Sequence, residues 1–232
     1  MIAKALLTAW MTVIIVAAFW YANAAVGFPG ETSRILFFHV PQAWVATLAF
    51  LLSMIASCIY LAKRKVRADN LALSSAELGF LFCILATASG SIFAKAAWGS
   101  FWNWDPRETS IVILLMIYGA YFALRSAVAD PEKRRIFAAV YAILAFVTVP
   151  FLVFVVPRIT ASLHPENTMN PARPGMDPKT LKVFLGSLIA YTGLFIWLLR
   201  LRLRLLNLEG MQEPKFDGSA VGQEEELEPN SE

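Results

Sequence analysis

Apolar residues in this chain are gathered into blocks of about 20, with short polar stretches between them. A helix rising about 1.5 Å per residue needs roughly that length to cross the hydrocarbon of a bilayer. A backbone in lipid must satisfy its own hydrogen bonds, so such blocks are expected to be helices. Six are predicted: Ala5–Val26, Pro41–Ala62, Leu71–Ala94, Ser110–Leu124, Ile136–Val156 and Leu181–Leu199. The fourth reaches a spanning length only if it begins at Pro106. Pro150 should kink the fifth unless neighbouring helices accommodate it. No internal repeat stands out, so the inverted halves common in secondary transporters are missing. The expected fold is an all-α, polytopic membrane bundle of six helices over residues 1–210, followed by a disordered acidic tail, 211–232.

Composition agrees with this pattern. Of 232 residues, 58% are hydrophobic and only 16% charged, with a mean hydropathy of +0.58. The net charge of +3 gives no basic stripe of the kind that binds nucleic acid. Cys58 and Cys83 lie inside apolar blocks and are expected to be inert packing residues; no C-x-x-C-H occurs. Lys4, an apolar run and Ala22-Asn23-Ala24 imitate a cleavable signal, but the run is longer than a signal core, and a retained span is expected. Basic residues set the orientation. Twelve fall on one side (Lys4, Lys63–Arg67, Arg125, Lys133–Arg135, Arg200–Arg204) and seven on the other, there interleaved with acids. Both termini are therefore expected to be cytoplasmic, with outer loops at about 27–40, 95–105 and 157–180.

This topology sorts the unusual residues. The only histidines, His39 and His164, both fall on the outer side. Each can be an interfacial histidine with a wet ring edge, or the two can be axial ligands of one haem iron. Pro41 disfavours helix at Val40, so His39 is expected on a bend just before span two; His164 is expected in a Pro- and Asn-rich loop. Between them lies Trp98-Gly99-Ser100-Phe101-Trp102-Asn103-Trp104-Asp105, which holds three of the seven tryptophans. An interfacial aromatic belt and an apolar platform for a macrocycle both fit it; Gly99 would permit close backbone approach. Asp105-Pro106-Arg107-Glu108 has the pattern of a capping box opening span four. Arg107 suits a carboxylate, either a haem propionate or a nearby acid. Glu77, inside the third block, is expected to be partly wet or internally paired, and Lys182 to snorkel.

Taken together, Trp98–Asp105, His39-Val40-Pro41-Gln42-Ala43-Trp44 and Leu163-His164-Pro165 resemble the tryptophan-rich "WWD" haem-handling proteins of cytochrome c maturation, the CcmC/CcmF/CcsA superfamily. Six spans, the tryptophan-rich stretch after span three and one histidine in each flanking outer loop resemble the CcmC layout. That resemblance implies a protein of the bacterial inner membrane. It implies haem b held on the periplasmic face by His39 and His164 as axial ligands, with Trp98, Gly99, Trp102, Trp104, Asp105 and Arg107 around it. It also implies transfer to a CcmE-type chaperone, with a CcmA/CcmB ABC-type pair and a small CcmD-type subunit as associates. Asp105-Pro106-Arg107-Glu108-Thr109 looks closer to the CcsA (ResC) form, a cytochrome c haem lyase component, but the additional spans typical of that type are missing. A transmembrane cytochrome b would need ligands inside the spans, and neither histidine lies there.

Overall fold

The structure, a computed structural model, describes residues 2–24, 28–164 and 176–212. The acidic tail lies outside the described residues apart from its first two positions. Seven α-helices account for the six predicted blocks: α1 (Ile2–Trp20), α2 (Leu36–Lys63), α3 (Val66–Trp98), α4 (Pro106–Ala127), α5 (Pro131–Pro150), short α6 (Val156–Ile159) and α7 (Pro178–Gln212). Six helical segments are long and apolar enough to cross a membrane, the α5–α6 stretch counting as one. Because the segments alternate in direction, the start of α1 and the end of α7 lie at the same end of the bundle as the α2–α3 and α4–α5 turns. The basic residues Lys63–Arg67, Arg125 and Lys133–Arg135 also sit at that end. The starts of α2, α4 and α7 and the ends of α3 and α6 form the other end.

α2 begins earlier than its proline suggests. A 3-10 turn, Gly30–Ile35, runs directly into α2 at Leu36, so Val40 is helical and Pro41 lies inside the helix. Pro41 has no N–H to give to the carbonyl of Phe37, four residues back. The hydroxyl of Ser187 on α7 donates to that carbonyl instead. A freed backbone acceptor is thereby satisfied by a neighbouring helix, which is how proline is tolerated in a spanning segment. Pro150 has a different outcome. After it the chain leaves α geometry for a π-helical segment, Phe151–Val155, before resuming as α6. The wider turn brings Leu152, Val153 and Phe154 to the wall of an internal cavity.

Small residues set the closest helix contacts. A Cβ at Gly79 would lie 2.6 Å from the Phe50 ring on α2, and Phe50 is itself stacked on Tyr118, with ring centroids 3.5 Å apart. Gly186 and Gly193 let α1 lie against α7, where Cβ atoms would meet Ile14 at 2.5 Å and Leu7 at 2.9 Å. Trp10 Nε1 donates to the Gly186 carbonyl at 3.0 Å, so this tryptophan is an interhelical tie.

Two acids of α3, Asp69 and Glu77, are held in ion pairs. Buried Asp69 accepts both terminal nitrogens of Arg125, at 2.7 and 2.9 Å, with Arg135 Nε at 3.7 Å. Glu77 accepts Arg202 from α7 at 2.7 and 3.0 Å, and is thus internally paired. Cys83 is buried and Cys58 is exposed on the bundle surface.

Gly79→Ala should overpack the α2–α3 contact, because Phe50 is pinned by Tyr118. A loss of about 1–3 kcal/mol is expected, read as a lower melting temperature in detergent. Gly119→Ala, where a Cβ meets nothing within 4 Å, should leave stability unchanged or raised.

Candidate haem site

The end of the bundle away from the basic turns opens into a cavity of about 830 Å³. It descends between α2, α3, α4 and the π-helical segment to Phe50, Cys83 and Leu114. From His39 to Phe50 along α2 is roughly 16 Å of helix rise. The walls are largely aliphatic and aromatic. The polar groups reaching the cavity include His39, His164, Arg107, Glu108 and Arg158.

His39 stands in the first turn of α2, not on a bend before it. The continuous 3-10-to-α entry, made possible by Ser187, rotates it toward α3. There its imidazole lies over Gly90, where a Cβ would fall 2.9 Å from His39 Cε1. Its Nδ1 is 3.0 Å from Ser89 Oγ. In the tautomer that leaves Nε2 free as a lone pair, Nδ1–H donates to Ser89. The Ser89 hydroxyl can pass its own proton to the Leu85 carbonyl at 2.9 Å or to Gln42 Oε1 at 3.1 Å.

His164 lies on the loop after α6 and is fixed by Asp105. The capping box expected from the sequence is present. Asp105 Oδ1 accepts the Arg107 N–H at 2.9 Å, and Glu108 Oε2 accepts the Asp105 N–H at 3.2 Å. Cap geometry uses only part of the carboxylate's capacity. Oδ2 accepts the Leu163 N–H at 2.7 Å and the Ser162 hydroxyl at 2.9 Å, while Oδ1 lies 3.0 Å from His164 Nδ1. A carboxylate on Nδ1 fixes the tautomer and orientation of an imidazole and raises the basicity of Nε2. The sequence shows the cap; it gives no sign that residues 57–59 positions downstream share the same carboxylate.

Charge at this end is finely set. Burial pushes the His164 pKa down to about 4, with Arg107 and His39 adding to the effect and Asp105 opposing it. The imidazole is neutral at pH 7, the form that can donate a lone pair to a metal. Burial alone would raise Asp105. The N–H groups of Arg107 and Leu163, the charge interaction with His164 and the Ser162 hydroxyl outweigh it, and its pKa lies below the ordinary value.

The tryptophan-rich stretch divides. Trp98 closes α3 and packs its edge on His164, centroids 4.8 Å apart. Trp102 lines the cavity. Trp104 is 76% exposed, holds a left-handed backbone at φ +56° and meets Trp102 edge-on at 5.9 Å. The three indoles therefore form no single flat platform: one braces a histidine, one faces the cavity and one faces outward. Gly99 takes φ +83° as the left-handed cap of α3, and a Cβ there would meet open space. Its backbone conformation, not crowding by the protein, calls for glycine.

Arg107 lines the cavity with its buried Nε lacking any partner among the described residues. Arg158, which no sequence motif singles out, is a second cation on the lining; its Nη1 donates to the Phe154 carbonyl at 2.5 Å. Glu108 Oε1 is also buried without a partner among the described residues. Such orphaned groups at a cavity wall call for an amphipathic occupant that brings polar atoms to the rim. The carboxylates of an apolar macrocycle suit Arg107 and Arg158, with two imidazoles beside them, whereas the Glu108 oxygen needs a donor that such a macrocycle does not bring.

His164 binds a proton more weakly folded than unfolded, so its contribution to stability falls as pH drops from about 6.5 toward 4. Asp105, with a depressed pKa, contributes above its unfolded value and loses that contribution at still lower pH. In the haem-free protein, amide exchange at Leu163 should therefore speed up between pH 6.5 and 4, beyond the intrinsic rate. Asp105→Asn should accelerate it already at pH 7; equal protection in the variant would count against the carboxylate as the anchor.

Comparison with known proteins identifies the family of the chain. The chain matches the family model CcmC, Heme exporter protein C, over residues 1–214. It is 34% identical over 194 residues to the Heme exporter protein C of Bradyrhizobium diazoefficiens, covering 81% of this chain and 74% of that protein. It is 30% identical over 183 residues to the one of Haemophilus influenzae, covering 76% and 72%. The cytochrome c biogenesis protein CcsA of Oenothera argillicola is 33% identical over 94 residues, 40% of this chain and 28% of that protein. With its six spanning segments, histidine-lined cavity and nearly full-length match, this chain belongs to the CcmC family.

Proposed function

We propose that this protein binds haem b as cargo at the outer face of the bacterial inner membrane and passes it to a CcmE-type chaperone during cytochrome c maturation. The observation that carries the proposal is the pair of imidazoles, His39 and His164, on separate elements of one apolar cavity, each with Nδ1 already occupied. Ser89 and Asp105 hold the rings so that both Nε2 atoms are available as axial ligands. Arg107 and Arg158 suit the two propionates. The cavity wall excludes water from the macrocycle, and Trp102 contributes an indole face to it. Outward-facing Trp104 and Phe101 mark the rim where an acceptor can approach. The basic end of the bundle faces the cytoplasm by the positive-inside rule, which puts both termini there and the cavity on the periplasmic side. A CcmA/CcmB ABC-type pair and a CcmD-type subunit are the associates expected of such a system.

The competing reading is a CcsA-type haem lyase component, favoured by the similarity to CcsA over 94 residues. Co-expression separates the two. Haem should become attached to a CcmE-type chaperone when that chaperone is supplied. Covalent haem on a C-x-x-C-H apocytochrome, formed with a CcsB-type partner and no chaperone, would falsify the delivery reading.

The ligand assignment has its own test. Purified protein should show a six-coordinate b-type haem spectrum, and His39→Ala and His164→Ala should each lose haem or change that spectrum. Retention of an unaltered spectrum by both variants would exclude the two histidines as ligands. Trp102→Ala should lower haem content more than Trp20→Ala. Trp20 is the appropriate control, being 82% exposed, whereas Trp10 is tied to α7. Equal losses would reduce the tryptophans to an interfacial belt.

A further inference from the structure

A second, smaller concavity lies at the opposite, basic end, between α3, α4 and α5. It has a volume of about 320 Å³ and is lined by Leu73, Phe122, Arg125, Ser126 and Arg134. Nothing in the haem reading uses it. Its walls divide by chemistry. Leu73 and Phe122 are apolar, and Phe122 is held rigid by edge contacts with Phe80 at 5.4 Å and Tyr121 at 5.2 Å. Among the described residues the lining has two arginines and no carboxylate of its own, Asp69 lying behind Arg125.

The two arginines differ. Arg125 is committed to Asp69 through both terminal nitrogens. Asp69 also faces Arg135, so that carboxylate is already shared between two guanidinium groups. Arg134 is half-buried, and its guanidinium has no hydrogen-bond or ion-pair partner among the described residues. Asp130 is engaged in capping α5, accepting the Lys133 N–H at 2.7 Å, and Glu132 is exposed on the same turn. A half-buried cation above an apolar wall is left without its counter-ion. Both arginines lie at the ends of helices long and apolar enough to span a membrane, Arg125 in the last turn of α4 and Arg134 in the first turn of α5.

We propose that this groove holds one anionic phospholipid, its phosphate on Arg134 and its acyl chain against Leu73 and Phe122. A basic pocket between spanning helices is a recurring site for anionic headgroups. The groove favours an anionic over a zwitterionic lipid because a choline or ethanolamine cation would meet Arg134 and Arg125 with no acid on the rim to receive it.

The test uses the full chain, purified in detergent and stripped of lipid. Phosphatidylglycerol or phosphatidylcholine is added to the micelles, and retained lipid is counted by native mass spectrometry. The wild-type protein should retain phosphatidylglycerol in clear preference. Arg134→Gln should lower that retention roughly five-fold, the weight of one arginine at an anionic surface. Lys133→Gln, on the exposed side of the same turn, should leave it unchanged. Ser126→Asp, which puts a carboxylate beside Arg134, should abolish the preference and gives an independent reading if Arg134→Gln folds poorly. Equal retention of the two lipids by wild type, or undiminished retention in both groove variants, overturns the proposal. So does a thermal shift from millimolar inorganic phosphate as large as that from phosphatidylglycerol, because the acyl chain would then contribute nothing.

Discussion

The Asp105 carboxylate is where two distant parts of the chain are joined, and the cavity end of the bundle depends on it. It starts α4 by accepting the Arg107 N–H, and it takes the Leu163 N–H, the Ser162 hydroxyl and the His164 ring from the loop after α6. Only a carboxylate, with about four lone-pair directions on two oxygens, can accept that many donors in so small a space. Asparagine would keep the size and lose half of the acceptor capacity. Because the group is almost fully buried, each of these bonds is made at low local dielectric, where satisfied networks are strong and broken ones costly. The network lowers the pKa of Asp105, whereas His164 is neutral because burial outweighs the opposing pull of that same carboxylate.

His39 is fixed by a different kind of constraint. Its place is decided by helix packing, in which α2 continues through Pro41 because Ser187 on α7 supplies the missing donor to Phe37. The ring then reaches α3 only because Gly90 has no side chain. One histidine is therefore held by a loop and a charge, the other by a rigid helix and a neutral hydroxyl. A carboxylate-bound imidazole is the more basic ligand, so the two sides of the cavity are electronically unequal.

Charge is distributed along the bundle according to what each end faces. At the basic end the acids inside α3 are matched: Asp69 by Arg125 and Arg135, Glu77 by Arg202. Breaking such a pair leaves a charge that lipid cannot solvate. At the cavity end Arg107 Nε and Glu108 Oε1 are buried without a partner among the described residues. Both groups lie on the cavity wall, within reach of an occupant's polar atoms.

The sequence by itself determined the six spans, the end-to-end charge asymmetry and the capping box at Asp105, because each depends on composition or on residues within one helical turn. It also brought His39, His164 and the tryptophan-rich stretch to one end of the bundle, since alternating spans leave no other arrangement. Tertiary structure decided the rest. Whether Pro41 ends a helix depended on a hydroxyl 146 positions away on α7, and which tryptophan faces the cavity depended on how α3 ends at Gly99. The second role of Asp105, the cradle at Gly90 and the contribution of Arg158 to the lining all arise from contacts between elements far apart in the chain. Helical periodicity records which residues are apolar; it carries no information about which neighbouring helix will supply a donor, a carboxylate or an empty space.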